Sequence, residues 1–171
     1  MKTKRVIVLP YDPAWATDFE TIRMELSDVL GSLALRIEHV GSTSVEGLCA
    51  KPIIDIDVVI ESRDKLAAVI AALAAIGYEH EGDLGIPGRE AFKYDGKPHL
   101  RTHHLYVCTQ DCAELRRHVT FRDYLRTHAD AAARYGAVKT EAAQLFPNDI
   151  DGYIAHKSAV IAEIYRLCGL A

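Results

Sequence analysis

The chain has 171 residues, 49% of them hydrophobic and 26% charged, with a formal net charge of −4. It is long enough to bury a core of its own, and its acidic balance excludes a general nucleic-acid binder, whose phosphate contacts need a clustered basic excess. The start, Met1 to Pro10, has too short an apolar run for a signal peptide, and no stretch reaches membrane-spanning length, so a cytoplasmic protein with no membrane partner is expected.

Val6 to Leu9 reads as a short strand ended by Pro10. Asp12-Pro13 then opens a helix, an N-cap acceptor followed by proline at the first helical position. Trp15, Phe19, Ile22, Leu26 and Val29 recur at helical spacing and form its apolar face. Arg36 to Val40 and Ile53 to Ile60 are strands; the second is apolar on nearly every residue and therefore central. Leu66, Val69, Ile70, Leu73 and Ile76 mark a helix that Gly77 stops. Gly82 to Gly88 is a loop, followed by strands near Glu90 to Tyr94 and Arg101 to Cys108, with Asp95-Gly96 as a hairpin turn. From Thr109 the pattern turns helical. Leu115, Val119 and Leu125 carry one helix, Ala132, Tyr135, Val138, Ala142 and Leu145 a second, and Ile150, Ile154, Ile161 and Ile164 a third. The expected architecture is one domain over 1–171, an α/β half (1–108) with a helical half (109–171) on it. Cys49, Cys108, Cys112 and Cys168 form no Cys-x-x-Cys pair and read as small buried hydrophobes.

Chemistry concentrates around the Arg36 to Val40 and Ile53 to Ile60 strands, in Val40-Gly41-Ser42-Thr43-Ser44 and, after Lys51-Pro52, Ile53-Ile54-Asp55-Ile56-Asp57-Val58. Side chains alternate faces along a strand, so Asp55 and Asp57 point one way while Ile54, Ile56 and Val58 point the other. Two like charges on one face repel unless a cation or proton is shared between them. Mg²⁺ suits that place, being usually held by one or two carboxylates plus substrate phosphates. The Gly41-Ser42-Thr43-Ser44 turn would offer backbone N–H groups and hydroxyls to those phosphates.

Val40-Gly41-Ser42 followed by Asp55-Ile56-Asp57-Val58 resembles the signature of the nucleotidyltransferase superfamily related to DNA polymerase β. The longer string from His39 to Ile56, with Tyr11 to Trp15, His103 to Val107, Phe121 to Arg126 and a late Tyr153 to Lys157 helix, resembles the GrpB family more narrowly. The resemblance implies a nucleotidyltransferase-like α/β (α+β) fold, a mixed sheet with flanking helices and a helical C-terminal half. It further implies a nucleoside triphosphate as partner, Asp55 and Asp57 as ligands of Mg²⁺ or Mn²⁺, attack on the α-phosphate, and pyrophosphate as leaving group. A similar domain is fused to dephospho-coenzyme A kinases in some bacteria.

Active members of the superfamily usually add a third carboxylate on a later strand, which here reads Thr102-His103-His104-Leu105-Tyr106-Val107. Leu105 and Val107 suit the core, which turns His104 and Tyr106 to the opposite face and makes His104 the catalytic candidate beside the two aspartates. Glu90 or Asp95 is an alternative source of the acid. Lys51, Arg89, Arg122, Lys139 and Lys157 are all candidate phosphate partners; Lys51 and Arg89 adjoin the motif and rank first, while the helical three are of a kind that more often serves as solvated or capping charge. Three functions fit: metal-dependent nucleotidyl transfer to a small-molecule or protein acceptor, a non-catalytic nucleotide- or coenzyme A-phosphate-binding domain, and a metal-dependent phosphohydrolase.

Overall fold

A computed structural model describes residues 5–170; Met1 to Lys4, where the sequence begins with charge, lie outside them. Among the described residues the helices are α1 (Ala14–Leu30), α2 (Leu66–Ala74), α3 (Ala113–Thr127), α4 (Ala129–Leu145) and α5 (Ile150–Leu167). The strands are β1 (Arg36–Val40), β2 (Ile54–Ile60), β3 (Tyr78–Gly82), β4 (Arg89–Tyr94) and β5 (His103–Thr109). They form one sheet in the order β1-β2-β5-β4-β3, with β2 parallel to β5 and the other pairs antiparallel. The result is the expected mixed sheet with flanking helices and a helical C-terminal part.

The apolar alternation of β2 explains its inner position. Ile54, Ile56, Val58 and Ile60 are buried on one face with Leu105 and Val107 of β5, beneath Trp15, Ile22 and Leu26 of α1 and Val69 and Leu73 of α2. Each such side chain contributes about 1.5–3 kcal/mol on removal from water. The Asp12 carboxylate accepts the Ala14 N–H at 2.9 Å and so caps the start of α1. On the other face, Val59 and Cys108 pack against Cys112 and Leu115, which seats the start of α3 on the sheet. Val45 and Leu48, just past the glycine turn, pack with Leu125, Tyr135, Val160 and Ile164 and draw α3, α4 and α5 together around it. Of the cysteines, Cys108 and Cys112 are buried, Cys49 and Cys168 half-buried, and all four are free thiols.

Several expectations change. Val6 to Leu9 is not a strand: Leu9 makes one isolated bridge to Ala50, and the Val6 N–H donates to the Pro147 carbonyl at 2.8 Å. Val6 is buried with Ala142 and Tyr153, so this segment is bound to the late helices instead of the sheet. β3 was not legible, because Tyr78-Glu79-His80-Glu81 has one large apolar residue and an edge strand needs no more. Asp95-Gly96 opens a long connection to β5 instead of a tight hairpin. Lys97 and His99 both pair with Glu25 of α1, at 3.2 and 2.9 Å, and hold that connection across the end of the sheet. Leu145 and Ile154 are exposed, and the inward face of α5 carries Tyr153, Val160 and Ile164. Among the described residues no helix is long and apolar enough to cross a membrane.

Candidate functional site

Gly41 joins β1 to a single 3₁₀ turn, Ser42–Ser44, and adopts φ +75°, a left-handed conformation that favours glycine. A Cβ at this position would lie 2.3 Å from Asp55 Oδ2, so glycine also lets the turn close down on the carboxylate of the neighbouring strand. His39 and Arg122 brace the turn from behind. The His39 ring stacks on Phe19 at 4.6 Å between centroids and shares a 2.9 Å hydrogen bond with Thr43 Oγ1. Burial, reinforced by Arg126 and Arg122, lowers His39 to about 4, so it acts as a neutral strut. Arg122, itself buried, donates to Glu38 at 2.6 Å and to the His39 carbonyl at 3.0 Å, and Arg126 donates twice to the Ser44 carbonyl. These arginines hold the turn.

In front of the turn lies a cleft of about 270 Å³ whose lining includes Gly41, Ser42, Thr43, Lys51, Asp55 and His104 from the sheet side. Tyr135 and Lys139 of α4 and Tyr153 and Lys157 of α5 complete it. Lys139 Nζ donates to the Cys49 carbonyl at 2.5 Å and stands 4.7 Å from the Tyr135 ring centroid. Lys157 and Lys51 stand 4.8 and 5.5 Å from the Tyr153 ring. Three ammonium groups thus face one carboxylate, Asp55, in a half-enclosed space. Burial first, then the neighbouring lysines, depresses Lys139 to about 7 and Lys157 to about 8; burial also lowers Lys51, against the pull of Asp55. Mutually repelling, desolvated cations are costly to hold without an anion between them.

Of the residues singled out from sequence, Ser44 turns away, its hydroxyl donating to the Gly41 carbonyl at 2.5 Å. Asp57 and Arg89 lie beyond the lining of the cleft, further along the same sheet face. Asp55 Oδ1 shares a 2.9 Å hydrogen bond with His104 Nδ1, its parallel neighbour on β5. Asp57 is fully buried, accepts from His118 Nδ1 of α3 at 2.6 Å, and leaves Oδ1 without a partner. Burial raises its carboxyl, against the hydrogen bond and charge of His118. Burial pulls His118 down, but the bond to Asp57 and the charges of Asp57 and Glu114 outweigh it and raise it overall. Glu90 does not join the aspartates, because it faces α1 and α2 and is bound to His80 at 2.7 Å and Arg63 at 3.2 Å. Asp95 is exposed in the loop after β4.

Among the described residues no group of three or more His, Cys, Asp or Glu is placed to hold a metal by itself. Two same-face carboxylates, one with an orphaned buried oxygen, nevertheless suit a hard divalent cation that takes its remaining ligands from phosphate and water. The helical lysines, ranked from sequence below Lys51 and Arg89 as phosphate partners, both enter the cleft, whereas Arg89 does not line it. A usable signal was present: Tyr135 and Lys139, and Tyr153 and Lys157, repeat one i, i+4 spacing on successive helices. His118 could have been found in the same way, since Glu114, His118 and Arg122 form a polar stripe at i, i+4 on a helix that must bury a face.

Comparison with known proteins adds the family. The model of the GrpB protein family matches residues 5–167. The UPF0157 protein YqkA of Bacillus subtilis is 35% identical over 154 residues, which are 90% of this chain and 44% of that protein, so the chain spans under half of its length. The crystal structure of the conserved protein GrpB from Enterococcus faecalis is 39% identical, covers 95% of this chain and 96% of its own, and superposes with a TM-score of 0.83. The MgGTP-bound Cid1 poly(U) polymerase shares the fold at 14% identity and a TM-score of 0.53, over 76% of this chain and 42% of its own. A match over nearly the whole chain, in both sequence and structure, decides the matter: the chain belongs to the GrpB family.

Proposed function

We propose that the protein binds a nucleoside triphosphate with its phosphates in the lysine cleft and transfers the nucleotidyl group to a small-molecule or protein acceptor. One observation carries this reading: Lys51, Lys139 and Lys157, from three separate elements, converge on the Gly41–Ser44 turn beside Asp55. Three amines, Lys139 buried and Lys51 and Lys157 half-buried, match the charge of a polyphosphate, and aromatic rings beneath them fix where they stand. Cid1, which has the same fold, is a poly(U) polymerase whose structure holds MgGTP.

In the transfer, the acceptor's oxygen forms the new bond to the α-phosphorus. The bond from that phosphorus to the β-bridging oxygen breaks, pyrophosphate leaves with the electron pair, and the acceptor proton passes to solvent. Asp55 and Asp57 would hold a magnesium or manganese ion, whose chemistry when bound is neutralisation of phosphate charge. The chain's own contribution is positioning. Ser42 and the turn orient the phosphates, the lysines neutralise them, and His104 keeps Asp55 directed at the cleft.

A second reading, binding without catalysis, is favoured by the face of β5. Tyr106 stands in register with Asp57 where a third carboxylate would assist transfer, and His118 already occupies one oxygen of Asp57. Calorimetry with magnesium and a non-hydrolysable ATP analogue, together with pyrophosphate release in magnesium and manganese, separates the readings. Binding should weaken in Ser42→Ala and in the Asp55→Asn/Asp57→Asn double variant. Equal binding by parent and double variant would place the site elsewhere. Intact binding without pyrophosphate release in either metal, with cell extract as acceptor source, would leave the binding domain.

A further inference from the structure

The sheet face that carries Asp55 and Asp57 continues, away from the lysines, onto β5 and β4. There Tyr106 lies in register between Asp57 of β2 and Ala91 of β4, and Arg89 follows two residues from Ala91. The Arg89 guanidinium lies over the Tyr106 ring, 4.2 Å from its centroid. Its Nε is buried and has no hydrogen-bond partner. Asp57 acts on Arg89 only through space. The approach to Arg89 is closely built: Gly88, at φ +82°, brings the loop against Cys112, where a Cβ would sit 3.2 Å from Sγ. Among the described residues, therefore, Arg89 is a half-buried cation, oriented by an aromatic plane, that forms no salt bridge. A buried donor left unsatisfied is unfavourable, and an oxyanion bound to the guanidinium would satisfy it.

We propose that Arg89 is the acceptor-binding residue, and that the acceptor is a small hydroxyl compound bearing a phosphate or carboxylate. This rests on the nucleotidyl-transfer reading. A triphosphate in the lysine cleft occupies the β2, α4 and α5 side of the aspartates, which leaves β5 and β4 for the attacking molecule. A guanidinium held flat presents a rigid fork of N–H donors, the geometry that pairs with an oxyanion in two parallel bonds. Neighbouring strands are about 4.8 Å apart, so a group resting on Arg89 above β5 lies about one strand spacing from the carboxylates of β2. The anionic group and the reacting hydroxyl are therefore separated by only a few bonds, and the acceptor is compact. During transfer Arg89 makes and breaks no covalent bond; the hydroxyl oxygen bonds to the α-phosphorus, pyrophosphate departs and the proton goes to solvent.

The test reads the arginine Nε–H resonances by NMR while phenyl phosphate, benzoate or benzyl alcohol is added to the full chain. Each titration is run with and without a saturating magnesium complex of a non-hydrolysable ATP analogue. The expected result is that an anion shifts the Arg89 signal in the nucleotide-loaded protein, with a dissociation constant of about 1 mM, while benzyl alcohol does not. The stronger of the two anions identifies a phosphorylated or a carboxylated acceptor. Arg89→Gln should weaken the anion about tenfold and leave the analogue's affinity unchanged, and Arg89→Lys should fall between, having charge without the fork. Equal anion binding by parent and Arg89→Gln would overturn the proposal, as would absence of any shift up to about 20 mM. Displacement of the anion by the analogue would overturn it too, by assigning Arg89 to the triphosphate. If phenyl phosphate binds Arg89 but the analogue does not bind at all, the acceptor role falls with the nucleotide reading and not through Arg89.

Discussion

Filling the lysine cleft with a triphosphate should draw protons from solution. With Lys139 near 7 and Lys157 near 8, at about pH 8 roughly one-tenth of the first and half of the second carry a proton. A bound polyphosphate favours the ammonium form of both, so the complex takes up roughly 0.9 plus 0.5, about 1.4 protons at most. At about pH 6 both are already charged and their uptake falls to about 0.1, while the triphosphate's own last proton begins to enter the count. Calorimetry in buffers of contrasting ionisation enthalpy measures this directly, as the slope of observed heat against buffer heat. Lys139→Met keeps the stem and removes the amine; it should lower uptake at pH 8 by about 0.9 proton and weaken binding. Tight binding at pH 8 with no proton uptake, or with uptake unchanged in Lys139→Met, would refute the assignment of the cleft amines to the phosphates. The same displacement has a signed effect on the unliganded fold. The folded value of Lys139, about 7, lies below its ordinary 10.5, so the unfolded chain binds more protons between these limits. The contribution of Lys139 to stability therefore rises with pH across that window and is smallest below about 7.

Gly41→Ala should cost about 2–3 kcal/mol in urea denaturation, from strain at φ +75° and the collision with Asp55, and should weaken nucleotide binding with it. A variant as stable as the parent would mean that the turn can move off Asp55 freely. Arg122→Met should cost about 2–3 kcal/mol by leaving the Glu38 carboxylate and the His39 carbonyl without their donor, less than for a fully buried pair because Glu38 reaches solvent. Adding Glu38→Gln should recover part of that loss in a double-mutant cycle, and strict additivity would show that the two residues do not interact.

Local rules carried the sequence a long way. The period of two in Ile54 to Ile60 placed the aspartates on one face and the isoleucines on the other, because strand alternation is a property of the backbone and owes nothing to partners. It also turned His104 toward Asp55 and His103 into the core, where the latter meets the Tyr78 hydroxyl at 2.7 Å. Apolar spacing located α1 through α5. Edge and terminal segments were lost, since Tyr78 to Gly82 and Val6 to Leu9 take their conformations from whichever neighbour offers a partner. The cations could be named but not ranked, for a related reason. A lysine on an amphipathic helix is identical in sequence whether it meets water or phosphate, and Lys139 reaches the Cys49 carbonyl from 90 residues away. Only the packing of α4 and α5 on Val45 and Leu48 brings those side chains to the turn. The sequence alone therefore determined the face on which the carboxylates stand; the tertiary structure decided which charges meet them, because the desolvation that shifts Lys139 and Asp57, and the Asp57 contact that raises His118, exist only once distant helices have closed over the sheet.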